Sequence, residues 1–245
     1  MIPHTYLEHS LSVLHTRLAS NPARSSSLIP AEQRPFITIS RETGAGATSL
    51  GQHLVPLLNQ EIDSDRQGWV FLDKDLLTQA LLHHQLPSRL ADFLPEDRIS
   101  ETEAVIGELM GLHPSLWQLE QQISAAILQL AHVGHVIFAG RAANLITRSL
   151  SSGLHVRLVA PLDLRVARMA AHLGCPIDEA RALVEKTDLA RQRFVRSHFD
   201  RDLDDPLLYD LVINTLNLSP NSAARLVATA LRERVGHAAA TPHPV

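Results

Sequence analysis

The chain has 245 residues, 45% hydrophobic and 20% charged, enough to bury a substantial core in one α/β domain with appendages. Its formal charge of −4 argues against a global positive field, and with it against nucleic acid as the main partner. The single cysteine, Cys175, excludes an internal disulfide or a multi-cysteine zinc site and is read as a packing residue in a reducing compartment. The opening MIPHTYLEHS lacks the layout of a signal peptide, and no run of about 18 uncharged apolar residues occurs, so a soluble, cytoplasmic protein without a membrane partner is expected. Most of the histidines are isolated, and the adjacent His83 and His84 would point in different directions on a helix, so no metal cluster is expected.

Leu7, Leu11, Leu14 and Leu18 set one apolar stripe on a helix over about 4–19, which packs on its own domain or forms a homodimer contact. The Ser- and Pro-rich stretch 20–35 reads as a linker, so that 1–35 precedes a main domain over 36–235. Phe36–Ser40 is a buried first strand, followed by glycines and a helix over about 48–59 with Leu50, Leu54, Leu57 and Leu58 inward. WVFLD, 69–73, is a second strand that delivers Asp73, and helical patterning resumes over 75–84. Residues 85–117 carry prolines and an acidic run without a clean strand; they read either as a helical segment closing over a substrate or as an irregular surface insertion. A helix over 117–132 leads to a third strand, HVIFAG at 135–140, which ends in Gly140 and Arg141. LHVRLVA, 154–160, is a fourth strand, and Pro161 opens a helix to about Leu173. An Arg-rich helix follows over about 178–196, then the acidic DRDLDDP, a fifth strand YDLVINT at 209–215, a closing helix over 220–235 and a tail, 236–245, expected to be disordered.

Strands alternating with helices imply a parallel sheet covered on both faces, in which ligands sit beyond the carboxyl ends of the strands. That rule selects the residues after Ser40, around Asp73 and around Gly140 and Arg141. The stretch TGAGATS, 43–49, has the glycine spacing that lets backbone N–H groups converge on an anion at a helix N-terminus. Set on the common phosphate-loop pattern with Gly46 as the last glycine, Ala47 takes the lysine position, Thr48 the magnesium-ligand position and Arg41 the place of the first glycine. The chain has only two lysines, Lys74 and Lys186, and neither lies in the loop, so arginine must carry the positive contacts. Arg41 is the nearest replacement, since a guanidinium holds phosphate oxygens bidentately; pairing with Glu42 is its bland alternative. Arg181, Lys186, Arg191, Arg193, Arg196 and Arg201 fall close together in an otherwise acidic chain, either as a cationic helix over phosphates or as a solvated face.

Taken together and in order, ISRETGAGATSLG, FLDKDLL, VIFAGRAAN, HVRLVAPLDLRVARM, EKTDLARQRFVRSHF and YDLVINT resemble the cytidylate kinase-like family, relatives of bacterial cytidylate kinases within the P-loop nucleoside monophosphate kinases. The resemblance covers about 36–235. It implies a three-layer α/β P-loop kinase fold with a five-stranded parallel sheet, an acceptor-binding region at 85–117 and an Arg-rich helical lid at 178–201. It implies ATP and Mg²⁺ as cofactors, with Thr43, Gly44, Ala45, Gly46, Ala47, Thr48 and Ser49 around the ATP phosphates and the Thr48 hydroxyl on the metal. It places Asp73, Arg141 and Asp188 against the acceptor, and Arg41, Arg141, Lys186, Arg191 and Arg193 in the catalytic set. True cytidylate kinases carry the loop lysine and an acidic residue where Ala142 stands here, whereas the lysine-less Ser-Arg-Glu loop is common in the kinase-like family.

The expectation is a phosphotransferase moving the γ-phosphate of ATP to a nucleoside monophosphate such as CMP. Two other readings remain open: a nucleotide-binding regulator without turnover, for which Ala47 speaks, and an oligomeric scaffold acting through the N-terminal leucine stripe.

Overall fold

The computed structural model describes residues 34–60, 68–73 and 116–240. The first strand, β1 (Phe36–Arg41), is apolar and β-branched on alternate positions and is buried along nearly its whole length, as a strand covered on both faces must be. It lies at the centre of a five-stranded parallel sheet of order β2-β3-β1-β4-β5. The other strands are β2 (Val70–Leu72), β3 (Val136–Ala139), β4 (Gly153–Val159) and β5 (Leu211–Asn214). β1 pairs on one side with β3, Ile37 opposite Ile137, and on the other with β4, Ile37 opposite Leu154. The loops after these three strands therefore leave the sheet side by side.

Two helices cover one face. In α1 (Ala47–Asn59), Leu50, Leu54, Val55 and Leu58 recur at helical spacing and are buried, and α1 packs alongside α6 (Pro220–Ala240). They share a core with Ile37, Ile39, Phe71, Ile137, Leu154, Val156 and Leu158. Because side chains alternate along a strand, the intervening residues Thr38, Ser40, His155 and Arg157 face the other side, and all four are buried polar groups. On that side α2 (Leu116–Val133) packs on β3 and on the short α3 (Ala143–Ile146), and the C-terminal half of α5 (Ile177–Phe199) brings Phe194 and Val195 over Thr38 and Ser40. Between β4 and α5, α4 (Leu162–Leu173) packs against α5 through Val166, Ala170, Ala180 and Val184.

The expected elements over the described residues are present, with ends shifted by one to three residues at most sites. The largest difference is at the C-terminus, where α6 continues to Ala240, past the expected end at Val235. The run AAA is made of the best helix-forming residue and gives the helix no reason to stop. The acidic stretch before β5 closes in a 3₁₀ turn over Pro206–Leu208, capped by the Asp205 carboxylate, which accepts from the Leu207 N–H. The N-terminal helix with its leucine stripe, most of the linker, the helix over 75–84, nearly all of 85–117 and residues 241–245 lie outside the described residues. No described helix is long and apolar enough to cross a membrane.

Candidate active site

The turn between β1 and α1 is built on two left-handed glycines, Gly44 at φ 80° and Gly46 at φ 98°. A side chain at position 44 is excluded twice over, by this backbone conformation and because its Cβ would lie 2.6 Å from the carbonyl oxygen of Arg165. Gly46 is the N-cap of α1, and no side chain caps that helix. The N–H groups of Gly46, Ala47, Thr48 and Ser49 accordingly have no intrahelical partner, and the space beside Gly46 is open to at least 4 Å. The turn thus presents a helix N-terminus and its aligned amides to an open mouth, which suits an anion.

The rest of the turn is braced from behind. The Ala45 N–H donates to the Glu42 carbonyl (3.1 Å), and the Ala45 carbonyl accepts from the Thr215 hydroxyl (3.0 Å). Arg165 and Arg168, one turn apart on α4, point their guanidinium groups into its underside. Arg165, 7% exposed, donates to the carbonyls of Thr43 (3.1 Å) and Ala160 (2.9 Å) and pairs with Glu42 (3.2 Å) and Asp188 (2.6 Å). Arg168 donates to the Gly44 carbonyl and to both oxygens of Thr215. With its carbonyls held inward by these donors, the turn has its remaining N–H groups facing out. The described part of the loop therefore has no lysine in it but two arginines beneath it.

Asp188 is the hinge of this arrangement. From α5 its Oδ1 accepts both the Thr43 N–H (2.7 Å) and the Thr43 hydroxyl (2.6 Å), while Arg191, one turn further on, donates to the Thr43 oxygen (2.7 Å) and lies 3.3 Å from the same carboxylate oxygen. The Thr43 N–H, expected at the phosphates, is committed to Asp188 instead, and the buried Ala45 amide is likewise used within the loop. Among the expected phosphate-lining residues, Gly44, Gly46, Ala47, Thr48 and Ser49 remain.

Next to the turn a cleft opens between the ends of β1 and β3 and the C-terminal half of α5. Arg41, Arg141, Asn144 and Arg191 line it, with Thr38 and Ser40 at its base and Phe194 and Leu203 at its side. Arg41 lies over Gly140, where a Cβ would meet its guanidinium nitrogen at 1.7 Å, so the glycine before Arg141 is what admits the Arg41 side chain. Gly140, Arg141 and Ala142 all have positive φ (88°, 57° and 50°). Two non-glycine residues in succession in that region is a costly conformation of the kind that clusters at functional sites. Beneath the cleft, Arg157, 4% exposed in the middle of β4, donates to Ser40 Oγ (3.3 Å), pairs with Asp204 and sits 5.6 Å over the Tyr209 ring. The Tyr209 hydroxyl donates to the Leu203 carbonyl (2.9 Å), and burial pushes its phenol up, so it stays protonated.

The structure brings Arg41, Arg141 and Arg191 together at the cleft and sets Asp188 against the loop. Lys186 and Arg193 sit exposed on α5, outside the cleft lining, and Asp73, half-buried just after β2, is also outside it. Sequence reasoning missed Arg165, Arg168, Arg157 and Asn144 as parts of the site. For Mg²⁺, the exposed Thr48 hydroxyl at the mouth is the available protein oxygen, since Glu42 and Asp188 are already engaged by Arg165. No group of three carboxylate, histidine or cysteine side chains suited to a metal occurs among the described residues.

The central parallel sheet with the glycine turn at the end of its middle strand is a three-layer α/β fold of the P-loop kinase type. Within it, the chain belongs to the cytidylate kinase-like family, whose model matches residues 36–217. The chain is similar to the cytidylate kinase of Pyrobaculum aerophilum, 23% identical over 78% of this chain and 89% of that one. It is also 26% identical to the cytidylate kinase of Pyrococcus horikoshii, over 49% of this chain and 60% of that one. A solved structure of an uncharacterized protein from Eubacterium ventriosum ATCC 27560 shares the fold, with a TM-score of 0.60 at 14% identity, covering 81% of this chain and 99% of that one.

Proposed function

We propose that the chain is an ATP-dependent phosphotransferase acting on a nucleoside monophosphate, with CMP or dCMP as the acceptor. The observation that carries this reading is the adjacency of two anion sites of different construction, the open amides at Gly46–Ser49 and the cleft bearing Arg41, Arg141 and Arg191. Phosphoryl transfer needs two phosphates in line and their charge neutralised more than it needs a nucleophilic side chain. The amides hold the donor's terminal phosphates, and the three guanidinium groups hold the acceptor phosphate and spread the charge that develops between the two. Thr48 would contribute a hydroxyl to Mg²⁺, and the ion would supply positive charge to neutralise the donor phosphates. Asp73, at the end of β2 and outside the cleft lining, would meet the acceptor away from its phosphate; no general base is needed, because the attacking phosphate oxygen is already anionic. The relatives' description as cytidylate kinases supports the choice of CMP.

A coupled assay with ATP, Mg²⁺ and a panel of monophosphates tests it. Turnover is expected with CMP or dCMP, and Arg141→Ala is expected to lower kcat/KM on the order of 10²- to 10³-fold. One observation favours a second reading, a nucleotide-binding regulator without turnover: the Asp188 carboxylate already occupies the Thr43 N–H that would otherwise meet phosphate, and Ala47 supplies no cation. ATP and CMP binding by calorimetry with no product formed over the whole panel decides for that reading.

A further inference from the structure

Every buried polar side chain of the cleft wall and its surroundings is accounted for, with one exception. Thr38 bonds to His155, Arg157 to Ser40, Arg165 to Ala160 and Thr43, and Thr147 to the Ala143 carbonyl. Asn144, 4% exposed, leaves its Nδ2 without a partner, alone among the described residues. A buried unpaired amide is costly and calls for an explanation. Its position is fixed: α3 is pinned at both ends, Ala143 N–H to the Gly140 carbonyl (3.1 Å) and Thr147 N–H to the Ala143 carbonyl (2.9 Å), behind the strained turn at Gly140–Ala142. The cleft that Asn144 lines is the one bearing Arg41, Arg141 and Arg191.

We infer that Asn144 is a ligand-binding residue whose Nδ2 donates to a phosphate oxygen of the acceptor, completing its partner set only when the cleft is filled. An amide N–H can only donate, and the guanidinium groups that line the same cleft carry positive charge and only donors, so the ligand that suits the Asn144 amide beside them is an oxyanion. The inference rests on the cleft being the acceptor-phosphate site, and the test separates the two.

The test compares wild type with Asn144→Leu, which keeps the branched outline of the side chain at a larger volume and removes the amide, and with Asn144→Ala, which removes the amide without overpacking. Thermal midpoints are measured without ligand and with inorganic phosphate, CMP, cytidine and ATP, and CMP affinity is measured by calorimetry. The expected result is a ligand-free midpoint for Asn144→Leu at or above wild type, because an unpaired buried donor has been removed. CMP affinity falls about 10- to 100-fold, the phosphate- and CMP-induced shifts shrink, and responses to cytidine and ATP do not change. A merely structural amide would give the reverse: a lowered ligand-free midpoint and undiminished CMP affinity in both variants, which overturns the inference. A wild-type chain unshifted by both phosphate and CMP overturns it too. If phosphate shifts are lost in Asn144→Leu while wild type transfers no phosphoryl group to any monophosphate, the oxyanion donor stands and the kinase reading falls.

Discussion

At the residue scale, the buried polar row on β1 and β4 sets a pH dependence of stability. His155 bonds Thr38 Oγ1 at 2.8 Å, and its imidazole is lowered from 6.5 to about 4, chiefly by burial, with Arg234 and Arg148 adding to the effect and Asp210 opposing it. The unfolded chain therefore binds a proton at this site more readily than the folded one, and stability rises with pH across that interval. The contribution is complete above pH 6.5 and is lost as pH falls from 6.5 towards 4, to a limit of about 3 kcal/mol at roughly 1.4 kcal/mol per pKa unit. Urea unfolding of wild type at pH 7, 5.5 and 4.5 is expected to show this decline, and His155→Gln, which keeps an acceptor for Thr38 but does not titrate, is expected to flatten it.

At the element scale, α4 and α5 are tied to the glycine turn through one buried ion cluster, Arg165 with Glu42, Asp188 and the Thr43 carbonyl. Arg165→Met removes the α4 cation that faces both carboxylates and strips a donor from the Thr43 carbonyl of the turn and from the Ala160 carbonyl after β4. The expected cost is about 3–5 kcal/mol in urea unfolding, as for one-sided disruption of a buried pair. Asp188→Asn in the same background is expected to recover part of it, because the stranded charge is gone; additive losses would show that the two do not act together. Much of this scale was legible in the chain itself. The strands read as short runs rich in aliphatic and β-branched residues bounded by turn residues, even where polar residues alternate with them as in FITIS, and the glycines of TGAGATS mark the turn. Arg165 and Arg168 were not legible, since charges on an amphipathic helix look like a solvated face until the turn they support is known. A finer use of periodicity would have sorted α5: Val184, Thr187 and Val195 are buried, and the same stripe contains Asp188 and Arg191 but neither Lys186 nor Arg193. Arg157, though missed, carried a signal, one charge inside the apolar run LHVRLVA. Asn144 gave no signal, because whether an amide finds a partner is decided by tertiary packing.

At the scale of the whole molecule, a chain of formal charge −4 gathers Arg41, Arg141, Arg165, Arg168 and Arg191 at one end of its sheet, with Glu42 and Asp188 as carboxylate partners among the described residues. An incoming phosphate is repelled by the body and attracted by that end, so the attraction is local and open to screening, with the Debye length falling from about 10 Å at 0.1 M salt to about 3 Å at 1 M. Steady-state rates across that range are expected to show kcat/KM for the acceptor falling on the order of tenfold, with kcat little changed. The strand order has a further consequence, for the growing chain. The middle strand is the first of the five to be made, yet Ile37 finds its neighbours Ile137 and Leu154 only about a hundred residues later. During synthesis FITIS therefore emerges as a sticky, unpaired ribbon and waits, so nascent chains halted before residue 160 should depend on chaperones in a way that completed ones do not.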